Sequence, residues 1–148
     1  MLIIGCGNED RSDDGAGLMA VRRLRAMGFE AKAHSGEALE LMEAWAGAEE
    51  VVVIDAVVSG RAPGTLLSWN AVANPLPRAQ FQCSTHAWGL AEAVELARAL
   101  GRLPDKLIIY GIEAGSLAAG GTLTPQVSRT VEEVATRIAQ EAACTNPH

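Results

Sequence analysis

Leu2-Ile3-Ile4-Gly5-Cys6-Gly7-Asn8-Glu9-Asp10-Arg11-Ser12-Asp13-Asp14-Gly15-Ala16-Gly17 reads as an apolar strand, a glycine-bearing turn and the head of an amphipathic segment that continues to Met27. Strand, glycine turn and helix in that order is how open α/β sheets begin, and it is at such turns that they bind ligands. A phosphate-binding turn stays neutral or basic, because exposed backbone N–H groups and the helix N-terminus attract an anion. This turn carries four carboxylates and one arginine. Its glycines let a ligand approach the backbone, and its acids make that ligand a cation rather than a phosphate. A dinucleotide-binding domain is the rival reading, but its fingerprint needs Gly-x-Gly-x-x-Gly, and Asp10 stands at the third glycine position.

Outward from this turn the pattern alternates. Strand one is Leu2 to Gly5. Helix one starts near Ser12 as N-cap, with Asp13 and Asp14 in the positive first turn, an apolar stripe of Leu18, Val21, Leu24 and Met27, and a stop at Gly28. Strand two is Phe29 to Ala33 and helix two Glu37 to Ala46. Val51-Val52-Val53-Ile54 is continuously apolar, as a central strand covered on both faces must be. Thr65 to Trp69 follows it after a turn too short for a parallel crossover, so strand four is expected to run antiparallel. Helix three is expected over His86 to Leu100 and strand five over Leu107 to Ile112. Helix four starts at Thr124-Pro125, with Val127, Val131, Val134 and Ile138 on one face. The fold class is α/β: a three-layer α/β/α sandwich around a five-stranded mixed sheet, one domain over residues 1–148, with 144–148 frayed.

Composition narrows the function. The 148 residues suffice to bury a core, and no apolar run approaches a membrane span. The formal net charge of -6 argues against a general nucleic-acid surface. Cys6, Cys83 and Cys144 are odd in number and widely spaced, which suits neither a disulfide framework nor a Cys-x-x-Cys zinc site. The start has no basic n-region and reaches glycine after four residues, unlike a signal peptide, so a cytoplasmic protein is expected.

Ligands of open α/β sheets bind beyond the carboxyl ends of the strands. Asn8, Asp10, Asp13 and Asp14 follow strand one, His34 ends strand two, Asp55 follows strand three, Glu113 follows strand five, and His86 opens helix three. Asp13 and Asp14 taken alone read as helix-dipole partners. Glu113 taken alone reads as a surface residue or a partner for Arg102 or Lys106. Asp55 is different, because a charge at the rim of a core is costly without a partner. His86 near a helix start is disfavoured as a cation, and neutral imidazole is the metal-binding form. Asp14, Asp55 and His86 converge on one edge from three chain segments, a donor set that suits zinc, nickel or manganese. No Gly-x-Ser-x-Gly elbow is present. Cys83 and His86 have the spacing of a thiol–imidazole pair but no third group to orient it.

Gly5-Cys6-Gly7-Asn8, Asp13-Asp14-Gly15-Ala16-Gly17, Ile54-Asp55-Ala56-Val57 with Pro63-Gly64-Thr65, Ser84-Thr85-His86-Ala87-Trp88-Gly89-Leu90, Tyr110-Gly111-Ile112-Glu113 and Leu123-Thr124-Pro125-Gln126-Val127 occur in this order. The ordered set resembles the hydrogenase maturation endopeptidases of nickel–iron hydrogenases, from Leu2 to about Ala139. The resemblance implies removal of a C-terminal extension from the hydrogenase large-subunit precursor after nickel insertion. It implies metal contacts at Asp14, Asp55 and His86, with nickel carried by the precursor and at most weak binding of a divalent ion such as zinc in isolation. It also implies a five-stranded mixed sheet with strand four antiparallel. Many members carry an Asp-Gly-Gly-Thr-like segment after strand two, tied to substrate choice, whereas this chain has His34-Ser35-Gly36-Glu37. Asn8, His34, Gly36 and Glu37 are therefore the expected precursor contacts. The residue responsible for catalysis is left unassigned. The alternative is a nickel-dependent checkpoint that binds the precursor without cutting it.

Overall fold

A computed structural model describes residues 1–82 and 87–145. Five strands form one sheet in the order β2-β1-β3-β5-β4: β1 Leu2–Cys6, β2 Ala31–His34, β3 Glu50–Val57, β4 Leu66–Asn70 and β5 Lys106–Glu113. All neighbours are parallel except β4, which pairs antiparallel with β5. The loop-length expectation for strand four therefore holds. Helices α1 Ala16–Ala26 and α4 Pro125–Thr145 pack together on one face, and α2 Ala38–Trp45 and α3 Leu90–Ala99 on the other.

Strand alternation divides the core between these faces. Ile3, Val52, Ile54, Tyr110 and Ile112 meet Ala20, Val21 and Leu24 of α1 and Val127, Val131, Val134 and Ile138 of α4. Ile4, Val51, Val53, Leu107 and Ile109 meet Leu41 and Trp45 of α2 and Ala93, Val94 and Ala97 of α3. Both faces of β3 are thus covered, which explains its unbroken apolar run. Trp69 joins this second core beside Phe81, their ring centroids 5.2 Å apart, whereas Trp88 is exposed.

Several boundaries differ from expectation for identifiable reasons. Helix one begins at Ala16, not Ser12: Ser12 has φ 48°, and its hydroxyl donates to Ala118 O instead of capping, so Ser12–Gly15 forms a separate 3-10 turn. The buried stripe of α1 is Ala16, Gly17, Ala20, Val21 and Leu24, and Met27 is exposed at the C-cap. Phe29 closes α1, its N–H bonded to Leu24 O, so β2 starts at Ala31. Strand β3 continues through Asp55 to Val57, because β5 pairs alongside it as far as Glu113. Helix α3 starts at Leu90, where Glu92 accepts from the N–H of the capping residue Gly89. Helix α4 runs from Pro125 to Thr145, and residues 146–148 lie outside the described residues. No helix among the described residues is long and apolar enough to cross a membrane.

Candidate active site at the carboxyl edge

The connection after β1 leads through α1 to one sheet face, and the connection into β3 comes from α2 on the other. The crevice between the carboxyl ends of β1 and β3 is therefore the topological switch point, where open sheets bind ligands. Two glycines let α1 close over it. A Cβ on Gly5 would lie 2.1 Å from Gly17 O, and a Cβ on Gly17 would lie 2.4 Å from both Cys6 O and Ile54 O.

Asp14 and Asp55 meet at this crevice, 2% and 7% exposed. Burial pushes the Asp55 carboxyl well above the usual carboxylate range, and the Asp14 charge pushes it further, while the Ala56 N–H bonded to Asp55 Oδ1 at 2.8 Å acts the other way. Burial also raises Asp14; Arg11, 4.0 Å away, and the backbone N–H of Asn8 oppose that rise. Two buried carboxylates facing each other in a low-dielectric crevice are a costly arrangement that a cation relieves. Their oxygen donors fit a divalent ion such as zinc or nickel. His86, Ser84, Thr85 and Cys83 lie outside the described residues. Among the described residues, no group of three or more His, Cys, Asp or Glu side chains forms a metal-holding cluster. The third ligand expected at His86 therefore stands as an expectation.

Cys6 shares the crevice. Burial raises its thiol well above the ordinary range, and Asp55 and then Asp14 raise it further. A nucleophilic cysteine needs the opposite surroundings, with a cation or helix N-terminus favouring thiolate. Cys6 is a packing residue beside the acids.

Asp13 is not a helix-dipole partner. Fully buried, its carboxylate accepts from Gly115 N at 2.8 Å, Ser116 N at 2.9 Å, Thr124 N at 2.7 Å and the Thr124 hydroxyl at 2.8 Å. Backbone bonds from Ser12 N and Asp13 N to Gly120 O and Ser116 O complete the seam. Asp13 thereby ties the loop after β5 to the turn that carries Asp14. Glu113 is likewise buried and internal: it accepts from Ser59 N and the Ser59 hydroxyl rather than from Arg102 or Lys106.

An open cavity of about 600 Å³ begins at Asp14 and Asp55 and reaches past the end of β2. Asn8, His34 and Gly36, three of the expected precursor contacts, line it. Asn8 Oδ1 accepts from Asp10 N, which shapes the turn. His34 Nδ1 accepts from Gly36 N at 3.0 Å, which sets the neutral ring as the Nε2–H tautomer. Glu37 does not line the cavity; its carboxylate accepts from Leu39 N and Glu40 N as the N-cap of α2. Arg22 and Arg25 also line the cavity. Their i, i+3 spacing beside Leu18 and Val21 marks a mixed face on α1, the one trace of this wall in the sequence.

Fold and site define a doubly wound α/β protein with a carboxylate-lined crevice at the switch point of its sheet. The chain belongs to the hydrogenase maturation protease family, whose model matches residues 36–141. It is 30% identical to the hydrogenase 2 maturation protease of Escherichia coli K12, over 89% of this chain and 84% of that one. It is also 30% identical to the hydrogenase expression/formation protein HupD of Thiocapsa roseopersicina, over 88% of this chain but only 62% of HupD. The chain thus spans about three fifths of the HupD length. Among solved structures, the NiFe hydrogenase maturation protease HybD from Thermococcus kodakarensis superposes with TM-score 0.75 at 30% identity, covering 96% of this chain and 97% of its own. The hydrogenase maturating endopeptidase HybD of E. coli gives TM-score 0.79 at 26% identity, covering 98% and 92%. The mixed sheet with antiparallel β4 is the fold of these proteases.

Proposed function

We propose that this protein is an endopeptidase that removes the C-terminal extension of a nickel–iron hydrogenase large-subunit precursor after nickel has been inserted. Membership of the maturation protease family supports the hydrolase reading. The observation that carries the finer reading is the buried Asp14–Asp55 pair facing an open cavity. Burial raises the proton affinity of both carboxyls, and a metal-loaded precursor brings a cation that would offset that cost.

In this reading nickel is part of the substrate. Asp14 and Asp55, with His86 as third ligand, hold the nickel-bearing segment at the sheet edge and so place the scissile peptide in the cavity. A carboxylate oxygen not engaged by the ion takes the proton of the attacking water and returns it to the departing amine. Cys6 takes no part as nucleophile. Asn8, His34 and Gly36 contact the precursor chain, and the departure at 34–37 from the family pattern bears on which hydrogenase is recognised. Without precursor, the same acids are those that would take up zinc, weakly.

The test is mass spectrometry of nickel-loaded and nickel-free precursor after incubation with the protein. Loss of the C-terminal peptide from the loaded precursor alone supports the proposal. Stable co-purification with an intact precursor would establish the non-catalytic checkpoint instead.

A further inference from the structure

The cavity is bipolar. Its inner end carries Asp14 and Asp55, Glu9 and Asp10 of the turn after β1 also line it, and its outer wall carries Arg22 and Arg25 on the same face of α1 as Leu18 and Val21. Helix rise places Arg25 roughly 16 Å beyond Asp14. An extended peptide covers that distance in about five residues. The two arginines differ in their commitments. Arg22 pairs with Glu9, Nη2 to Oε2 at 2.6 Å, and both side chains are exposed. Arg25 Nε donates to Ala31 O at 2.8 Å, a partly buried bond that holds the guanidinium against the first residue of β2. That bond occupies Nε alone, and among the described residues the terminal nitrogens have no protein acceptor. A guanidinium fixed at one nitrogen with its remaining donors beside a cavity is preorganised for a carboxylate.

A helix-dipole role accounts for basic residues in the last turn of α1, where Arg23 and Arg25 both lie, and Arg23 pairs with Glu132 of α4 at 2.7 Å outside the cavity. It does not account for two arginines along the wall of a cavity whose other end is acidic. We infer that the outer cavity is a subsite for a carboxylate of the precursor, bound by Arg25 with Arg22 assisting, about five extended residues from the metal-bearing segment. The inference rests on the proposed proteolysis and deepens it. The groove would hold cation and anion of one extended segment at once, which fixes both its direction and the distance between nickel and anchor. The carboxylate belongs either to an acidic side chain or to the precursor's C-terminus.

Steady-state cleavage of nickel-loaded precursor tests this with wild type, Arg25→Gln, Arg25→Lys and Arg22→Gln, each checked for folding by circular dichroism. Arg25→Gln should raise KM roughly tenfold or more with kcat little changed, as loss of a charge-assisted contact does. Arg25→Lys should recover part of the loss, and Arg22→Gln should show a smaller one. Two altered precursors separate the sources: one with acidic side chains of the cleaved region changed to amides, the other with its C-terminus lengthened by several residues. One of these should abolish the difference between wild type and Arg25→Gln, and whichever does so identifies the carboxylate. An unchanged KM for Arg25→Gln, or a penalty that persists on both altered precursors, overturns the subsite. Failure of the wild type to cleave any nickel-loaded precursor would instead overturn the proteolytic reading.

Discussion

Thr124 grips Asp13 twice, with its N–H on Oδ1 at 2.7 Å and its hydroxyl on Oδ2 at 2.8 Å. Oδ2 also receives the N–H groups of Gly115 and Ser116. The residue beside Asp14 therefore anchors the segment between β5 and α4. Asp13→Asn places an amide N–H₂ against groups that are all donors and should cost about 3 kcal/mol or more, since hydrogen bonds to charged groups are worth about 1.5–3 kcal/mol each. Urea unfolding measures this. A midpoint equal to that of wild type would show that the seam carries no stability.

Asp55→Asn should separate stability from activity. The amide retains an oxygen for Ala56 N–H and removes a buried charge that Asp14 opposes. Thermal unfolding near neutral pH should therefore shift upward, by roughly 2–4 °C for each kcal/mol recovered in a protein of this size. Precursor cleavage should be lost in the same variant. A lower melting temperature with normal cleavage contradicts the assignment.

Gly17→Ala should be severely destabilising or fail to fold. The new methyl would meet Cys6 O and Ile54 O at 2.4 Å, and both are backbone atoms that cannot swing aside. Gly121→Ala is the control, because its Cβ would meet only Glu9 O at 3.7 Å. Soluble yield and denaturation midpoints of the two variants should diverge sharply.

Tyr110 confers a stability term that fails in alkali. Its hydroxyl donates to the Glu141 carboxylate, with oxygen separations of 2.9 and 3.0 Å, and Arg137 lies 5.4 Å from the ring centroid. Burial first, then the bond to Glu141 and its charge, push the phenol up to about 12, with Arg137 opposing. The unfolded phenol titrates near 10. Between those values the unfolded state has lost the proton that the folded state keeps, so stability falls as pH rises. The contribution is complete below pH of about 10 and is lost as the pH passes about 12. Tyr110→Phe should be less stable by about 1 kcal/mol at neutral pH and should unfold with a shallower alkaline dependence. Parallel curves would contradict this.

Much of the architecture was legible in local pattern. The run Val51–Ile54 announced a central strand, Thr124-Pro125 the start of α4, and the short link before Leu66 an antiparallel β4. Legibility ended where a side chain's partner lies far along the chain. Ser12 resembles an N-cap, yet its hydroxyl serves Ala118. Asp13 resembles a dipole partner, yet its four donors come from residues 115–124. Glu37, by contrast, has local partners: it caps its own helix at Leu39 N and Glu40 N.

The candidate site divides along the same line. Residue type and position already singled out Asp55, because a charge at the rim of an apolar run demands a partner, whereas Asp14 alone reads as a helix-dipole partner and gains meaning only beside Asp55 and His86 and through the family resemblance. The cost of burying them emerges only in three dimensions, where the ends of β1 and β3 bring both into one crevice: burial raises both, and the Asp14 charge raises Asp55 further. Arg25 shows the other half. In the chain it is one of several arginines on an amphipathic helix, and only the passage of α1 beside β2 sets it on a cavity wall with Nε held by Ala31 O. Periodicity and turn chemistry are carried by neighbours in the chain and can be read there. Charge repulsion, burial and the reach of a guanidinium depend on distances through space, which close only when the sheet assembles.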